Sequence, residues 1–481
     1  MRNQILKIVE KVIGAGPFYD DWDSLSRFQV PAWYRDGKFG IFIHWGVYSV
    51  PAFSNEWYSR NMYQQGTPEF NHHIATFGSQ SEFGYKDFIP LFRGEKFDPH
   101  LWADLFQKAG ARFIVPVAEH HDGFQMYDSA LSPWNAIQMG PKRDVIGELA
   151  RAVREKGLVY GVSNHRAEHF FFFDGGLQFD SDVAHPRWAD FYGPPHPAPH
   201  DLSDLEDAPP TQEHLDDWLA RNCEIVEKYQ PELVWFDWWI QNLAFKPYLQ
   251  KFAAYYYNRA ASWNKEVAIN YKFQAFREGT AVFDVERGQL ADIAPFFWQG
   301  ETSVSKNSWG YIDGQEYKTV EDLLCDMIDT VSKNGAFLLN IGPRSDGTIA
   351  ETEQEILLEI GKWLTDNGEA IYGTRPWQIF GEGLTEVVAG SFNDTKRTAF
   401  SSQDARFTRN GDTLYAIVLK WPENGQILIK SLTRYVQIKK VDLLGNPDQP
   451  KWSISDKGLE LDVTNCRPSK YPVAFRLITA G

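Results

Sequence analysis

Between Lys38 and Ile341, short apolar runs alternate with amphipathic stretches eight times, and no other feature of the 481 residues limits the possible folds so sharply. The runs are Phe39 to His44, Arg112 to Glu119, Leu158 to Ser163, Leu233 to Asp237, Val267 to Tyr271, Val282 to Glu286, Phe296 to Glu301 and Ala336 to Ile341. Helical periodicity is clearest at Pro99 to Ala109, Asp144 to Lys156, Leu215 to Tyr229, Pro247 to Ser262 and Val320 to Lys333. Gly110, Gly157 and Gly335 follow where a helix C-terminus needs them. Near-continuous apolar runs suit strands covered on both faces, as in a parallel sheet. Eight βα repeats predict a (β/α)8-like barrel of the TIM type, irregular where one or two helices are degraded.

Past the helical stretch Glu353 to Asn367 and Gly373, the period changes. Alternating segments at Thr413 to Leu419, Gln426 to Ile429, Val436 to Leu443, Leu459 to Val463 and Val473 to Ile478, with Asn410-Gly411 and Asn424-Gly425 as hairpin signals, predict a small antiparallel β-sandwich. The expected division is therefore a barrel over 1–376 and a sandwich over 377–481.

In a barrel of this kind, chemistry gathers at the C-terminal ends of the strands. Those ends carry His44 and Trp45; Glu119, His120, His121 and Asp122; Asn164, His165 and Arg166; then Asp237, Lys272, Glu286, Gln299, Glu301 and Asn340. A long acidic, Pro-rich insertion, Asp174 to His214, separates the third and fourth repeats and is expected at the rim or in a homo-oligomer contact, its acids being solvated.

The run Leu233 to Asp237 ends on one carboxylate among Trp235, Trp238 and Trp239. Burying an unpaired carboxylate is costly, so Asp237 is either a turn-capping structural residue or a functional one. With Glu286 it forms a pair that the barrel would bring to one mouth, and two carboxyls in an aromatic cup are the equipment of a glycosidase, one ionised and one protonated. The 18 Trp, 21 Tyr and 34 Phe agree with a sugar site, though a large aromatic core would use them equally well. His44, His120 and His121 lack the His-x-His or His-Glu-x-x-His spacing of metal sites and fit hydroxyl partners better, so neither metal nor cofactor is expected. Glu56, next to Trp57, is a surface acid or a ligand for a hydroxyl pair.

A net charge of −16 argues against nucleic acid or an anionic membrane as partner, and no run of about 18 apolar residues is present to span a bilayer. Cys223, Cys325 and Cys466 are too scattered for a disulfide framework or zinc site. The opening residues lack the apolar core of a secretory signal, so a cytoplasmic enzyme is the default expectation.

Six segments together resemble the alpha-L-fucosidases of glycoside hydrolase family 29. They are Phe42-Ile43-His44-Trp45-Gly46, Asn55-Glu56-Trp57-Tyr58, His120-His121-Asp122-Gly123-Phe124, Trp235-Phe236-Asp237, Ser308-Trp309-Gly310-Tyr311 and Leu338-Leu339-Asn340-Ile341-Gly342-Pro343. The resemblance implies a retaining double displacement on terminal alpha-linked L-fucose of an oligosaccharide or glycoconjugate, without metal or cofactor. It places the nucleophile at Asp237 and the fucose hydroxyl ligands at His44, Glu56, Trp57, His120 and His121, with Trp235 and Trp309 as aromatic walls.

Three positions depart from the family pattern. Trp298-Gln299 stands where many members have Trp-Glu, so the acid/base is assigned to Glu286, with Glu301 as rival. Lys272 replaces a frequent Arg, keeping the charge of a substrate-binding residue but losing the planar fork. Ser163-Asn164-His165-Arg166 replaces a Tyr-rich strand end. Two other readings stay open: an inactive fucose-binding protein on the same scaffold, and a retaining hydrolase of a related sugar.

Overall fold

The computed structural model describes residues 1–201, 203–396 and 398–479; Leu202, inside the long insertion, and Arg397, Ala480 and Gly481 at the C-terminal end lie outside them. All eight expected barrel strands form and close in sequence order: β1 Phe39–Ile43, β2 Phe113–Glu119, β3 Val159–Asn164, β4 Leu233–Phe236, β5 Ala268–Tyr271, β6 Val282–Glu286, β7 Trp298–Ser303 and β8 Gly335–Ile341. Every pair is parallel, and β1 closes the ring on β8 with Phe39 opposite Phe337. Strands β1, β2, β4 and β8 are buried at every residue, which is why their sequences show no polar alternation.

Helices Val145–Glu155, Gln212–Tyr229, Lys246–Ser262, Val320–Ser332 and Glu351–Asn367 cover the outside, and Pro99–Lys108 covers the first crossover. Asp98, Asp144, Thr211 and Thr319 each cap the helix that follows by accepting from its first-turn N–H groups. Among the described residues, β5 to β6 and β6 to β7 are joined without a helix, so the degraded repeats are the fifth and sixth. The apolar face of the N-terminal helix Arg2–Ala15, with Val9 and Ile13 buried, lies against Gln212–Tyr229 and Lys246–Ser262.

In the Asp174 to His214 insertion, Asp180, Asp190, Asp201, Asp204 and Glu206 are exposed as expected, whereas Asp174 and Asp182 anchor it to the barrel. Asp182 accepts from Tyr63 and Tyr192 at 2.8 and 2.5 Å and pairs with Lys86 at 3.0 Å, and Asp174 pairs with Arg60 at 3.0 Å. Burial of these acids is tolerated because each is matched by a cation or hydroxyl.

After the barrel come β9 Arg375–Glu382, β10 Ala405–Asn410, β11 Thr413–Val418, β12 Gln426–Ile429, β13 Ile438–Leu443, β14 Lys451–Ser455, β15 Gly458–Asp462 and β16 Val473–Thr479. They form a five-stranded antiparallel sheet, β13-β16-β11-β10-β9, facing a three-stranded one, β12-β15-β14, over a core that includes Phe407, Val418, Leu461 and Phe475. Asn410-Gly411 opens the β10–β11 hairpin as expected. Asn424-Gly425 does not make a hairpin: it turns the chain from β11 in one sheet to β12 in the other. Its local turn, Gly425 N–H to the Pro422 carbonyl at 3.2 Å, is the same chemistry put to a different use.

The sheets are locked to the barrel by a buried ion triad. Arg406 of β10 donates to Asp329 Oδ1 at 2.5 Å, and Lys333 holds Oδ2 at 2.6 Å. Trp363 also donates to the Pro472 carbonyl at 2.7 Å. All three cysteines are buried, and none is in a disulfide. No helix among the described residues is long and apolar enough to cross a membrane.

Candidate active site

The C-terminal ends of the strands surround a cavity of about 620 Å³. Its geometry starts from the β3–β4 register, where Ser163 lies opposite Trp235 and Asn164 opposite Phe236. The next residues along, His165 and Asp237, therefore meet at the mouth. His165 Nδ1 donates to Asp237 Oδ2 at 2.7 Å while its Nε2 accepts from the Ser163 hydroxyl at 2.9 Å. His121, at the end of β2, places Nε2 3.3 Å from the same Oδ2, and its Nδ1 donates to the His165 carbonyl at 2.8 Å. Both imidazoles thus act on one oxygen, and Oδ1 accepts no hydrogen bond among the described residues.

Burial alone would raise the Asp237 carboxyl, but His165 and His121 more than offset it and hold it well below the usual carboxylate range. Burial lowers His165, which stays neutral. Burial also opposes charge on His121, yet Glu168 and Asp237 raise it to about 9, so it is an imidazolium at neutral pH. Glu168 itself is pushed by burial to about 7. Behind this group, Arg166 and Arg221 each bond Glu119 at 2.9 Å and Asp217 at 2.8 to 2.9 Å; this charge-balanced knot fixes the end of β3 from which His165 projects.

On the opposite wall, Glu286 faces Glu301 across β6 and β7, and Asp284 faces Gln299 one layer deeper. Lys272, just past β5, lies between the layers: its Nζ is 2.9 Å from Glu286 and 3.2 Å from Asp284, and it bonds Glu301. One ammonium therefore serves three carboxylates. Burial and the neighbouring acid charges push Glu301 well above the ordinary range, and burial raises Asp284. The carboxyls at this depth retain protons that an exposed acid would lose. Glu286 is the more open of the two upper acids, its side chain 11% exposed against 1% for Glu301. Its Oε2 also accepts from the indole N–H of Trp238 at 2.6 Å, so the residue following Asp237 touches the second carboxylate.

The last strand organises the remainder. Asn340 of β8 bonds His44 Nδ1 at 2.7 Å and donates to the Trp309 carbonyl at 2.7 Å. Burial keeps His44 and His120 neutral, far below the usual imidazole range. With Nδ1 donating to Asn340, His44 Nε2 is an acceptor. Glu56 accepts from the Trp309 N–H at 2.8 Å and the Ser308 hydroxyl at 3.1 Å, tying the first loop to the seventh. Gly342 allows these loops to close: a Cβ there would meet Tyr311 N at 2.6 Å. Buried and lacking a protein hydrogen-bond partner are His120 Nδ1 and Trp235 Nε1, both on residues of the cavity wall.

A family model described as Alpha-L-fucosidase matches residues 6–369, and one for the Alpha-L-fucosidase C-terminal domain matches 398–478. The chain belongs to the alpha-L-fucosidase family. Among its relatives, the tissue alpha-L-fucosidase of Homo sapiens is 32% identical over 95% of this chain and 90% of its own. The plasma alpha-L-fucosidase of the same organism is 33% identical over 93% and 88%. A crystal structure of the Thermotoga maritima alpha-fucosidase with a mechanism-based inhibitor superposes at a TM-score of 0.77, with 30% identity, covering 96% of this chain and all of that one. The expected barrel with a C-terminal β domain is thus the architecture of the alpha-fucosidases, and the chain is a glycoside hydrolase.

Of the ten fucosidase positions named from sequence, nine line the cavity: Asp237, Glu286, His44, Glu56, Trp57, His120, His121, Trp235 and Trp309. The tenth, Lys272, is 1% exposed and sits beneath the wall, bonded to acids rather than facing the cavity. Glu301 is not in a loop beyond its strand, because β7 continues to Ser303. Gln299 lies a layer down, accepting from Tyr34 at 2.5 Å and donating to Asp284 at 2.6 Å; the position that departs from the family pattern does not reach the cavity wall.

From the sequence, His165 is placed at a strand end and Trp238 beside Asp237 but neither is given a role, and Glu168, Phe273, Phe392 and the insertion residues Asp201 and Ser203 are not singled out; all seven are on the cavity wall. His165 could have been found from sheet adjacency, since β3 and β4 are neighbours and both residues directly follow a strand. His44, His120 and His165 bring ring nitrogens within 4.8 Å of one another, as do His121, His165 and Asp237 with their ligand atoms. Both His165 nitrogens are already engaged, so a cation in either set would have to break a bond that orients Asp237 or Ser163.

Proposed function

We propose that the chain is an exo-acting, retaining alpha-L-fucosidase that removes terminal alpha-L-fucosyl residues from fucosylated glycans. Asp237 Oδ1 attacks the anomeric carbon as the glycosidic C–O bond breaks, and Glu286 delivers a proton to the departing oxygen. In the second half, Glu286 takes a proton from water, whose oxygen attacks the same carbon and expels Asp237. The supporting observation is the state of Asp237: ionised, oriented by two imidazoles through Oδ2, and left with one unengaged oxygen.

The surrounding chemistry supports a neutral, hydroxyl-rich substrate. Neutral His44 and His120, the Glu56 carboxylate and the Trp235 indole present acceptors and donors, while Trp309 and Phe42 add apolar surface. Glu286 is preferred over Glu301 as acid/base because a proton donor must reach the leaving oxygen, and although both line the cavity, the Glu286 side chain is the more exposed, 11% against 1%. Fucose is the sugar in the names of the relatives, and their similarity runs the length of both chains.

The test is hydrolysis of a chromogenic alpha-L-fucoside. Asp237→Ala is expected to lower kcat by about 10⁴-fold or more, as loss of a nucleophile does. A 2-deoxy-2-fluorofucosyl donor should label the Asp237 peptide, detected by mass spectrometry. Full activity in Asp237→Ala, or release of fucose with inverted anomeric configuration, would overturn the mechanism.

A further inference from the structure

Resting on that reading of Glu286, we propose that Trp238, Phe273 and Phe392 form a subsite that takes the pyranose ring bonded to fucose, by its flat C–H face. The geometry starts at the proton donor. Trp238 commits its indole N–H to Glu286 at 2.6 Å, so the atom attached to the oxygen that Glu286 protonates lies next to this indole. Two further rings extend the apolar surface on either side: Phe273 lies 6.4 Å from Trp238 at 35°, and Phe392 lies 6.3 Å away at 21°. All three line the cavity, and Phe273 and Phe392 are 38% and 52% exposed.

The backbone shows that this exposure is enforced. Phe273 and Phe392 have φ of +51° and +60°, a region that bulky L residues rarely adopt. Surroundings that hold two phenylalanines there, with their rings toward solvent, need a compensating use. Phe392 is also fixed in place: its N–H donates to the Glu286 carbonyl at 2.9 Å, and the next two N–H groups donate to the Arg287 carbonyl at 2.8 and 2.9 Å. Asp394 then pairs with Lys318 and accepts from Thr302 at 2.7 Å. The segment after β9 is thus strapped onto the end of β6 and delivers a ring to the rim of a cavity built by the barrel. Asp201 and Ser203 of the insertion also line the cavity and offer polar groups for the hydroxyls of such a ring.

The experiment compares substrates that differ only in what leaves. For wild type, Phe273→Ala, Phe392→Ala and Phe392→Tyr, kcat/KM is measured on an alpha-L-fucosyl-(1→2)-β-galactoside, on 4-nitrophenyl alpha-L-fucoside and on alpha-L-fucosyl fluoride, which has no departing ring. Each alanine variant should lower the disaccharide-to-fluoride ratio by roughly three- to tenfold, the size of one aromatic contact, and Phe392→Tyr should keep it within about twofold. An unchanged ratio in both alanine variants overturns the subsite, as does a fall confined to the aryl substrate. Calorimetry in an Asp237→Ala background, comparing disaccharide with free fucose, reads the same preference without turnover. Failure of the wild type to hydrolyse any substrate therefore counts against the proposed function, and the binding ratio still decides the subsite.

Discussion

Asp237 and Glu286 follow or end strands only two apart in the barrel, yet the groups behind them differ in charge balance. Behind Asp237 the charges nearly match: the imidazolium of His121 serves both it and Glu168, which burial pushes to about 7, and two guanidiniums meet Glu119 and Asp217. Behind Glu286 they do not: Lys272 alone faces Asp284, Glu286 and Glu301. The first arrangement keeps a carboxylate ionised; the second keeps protons on buried acids. One wall of the cavity thus carries an ionised carboxylate, and the other stands on buried acids that hold protons. The contrast also explains why the cation is buried, since it acts on the acids and not on the sugar.

The largest effect that tests this contrast is on the Glu286 side. Glu286→Ala should slow hydrolysis of a chromogenic fucoside by about 10²- to 10⁴-fold, and azide should restore turnover by attacking the fucosyl-enzyme in place of water, since it has no proton to be removed, and releasing a fucosyl azide. Glu301→Ala should show no azide rescue. Rescue at 301 alone would move the acid/base to the less exposed of the two facing acids.

Next in size is the cation itself. Removing one partner from a buried charge cluster leaves uncompensated charge, so Lys272→Met should destabilise the fold by about 3–5 kcal/mol in urea unfolding. Adding Glu301→Gln should recover part of that loss, because one of the stranded acids is then neutral. A Lys272→Met protein as stable as wild type would show that no charge is stranded when the cation goes.

How far the sequence revealed this arrangement depended on periodicity. The barrel was legible because uninterrupted apolar runs such as Leu233 to Phe236 are what two-sided burial selects, and nine site residues followed because each sits at or just past a strand end or in a top-face loop. Lys272 was misplaced because strand position alone does not tell a residue that faces the cavity from one that points into the layer beneath it. Edge strand β14, Lys451–Ser455, is not among the expected strands although Lys-Trp-Ser-Ile-Ser alternates; its residues are exposed or half-buried in the structure. Phe392 was out of reach of such reasoning. It comes after β9, in a segment with no period of its own, and only tertiary hydrogen bonds to Glu286 and Arg287 bring it to the mouth.

A smaller effect probes the Asp237 side. His121 is raised from its ordinary value near 6.5 to about 9. A group whose folded value lies above its unfolded one contributes stability that is fully present below the unfolded value and lost as pH rises through the folded one. The contribution of His121, roughly 2–3 kcal/mol from that separation, should therefore hold at pH 6 and vanish between pH 6.5 and 9.5. His121→Gln should be less stable than wild type at pH 6 and close to it at pH 9.5, as measured by urea midpoints. A gap that persists at high pH would mean that His121 acts through packing and not through charge.

The smallest effect concerns the place where the chain departs from its family pattern. Gln299 donates to Asp284 at 2.6 Å and accepts from Tyr34, so its amide satisfies one buried acid without adding another. Gln299→Glu would replace that donor with an acceptor and put a fourth carboxyl near Lys272. The expected cost is about 1–2 kcal/mol, the size of a buried hydrogen bond turned unfavourable, relieved as pH falls and the new acid takes up a proton. Since Gln299 does not line the cavity, kcat on a chromogenic fucoside at 25 °C should change by less than about threefold, each 1.36 kcal/mol in the barrier being tenfold. A large fall in kcat with unchanged urea midpoint would show that the Lys272 layer acts on the chemistry directly and is not only a buried support for the cavity wall.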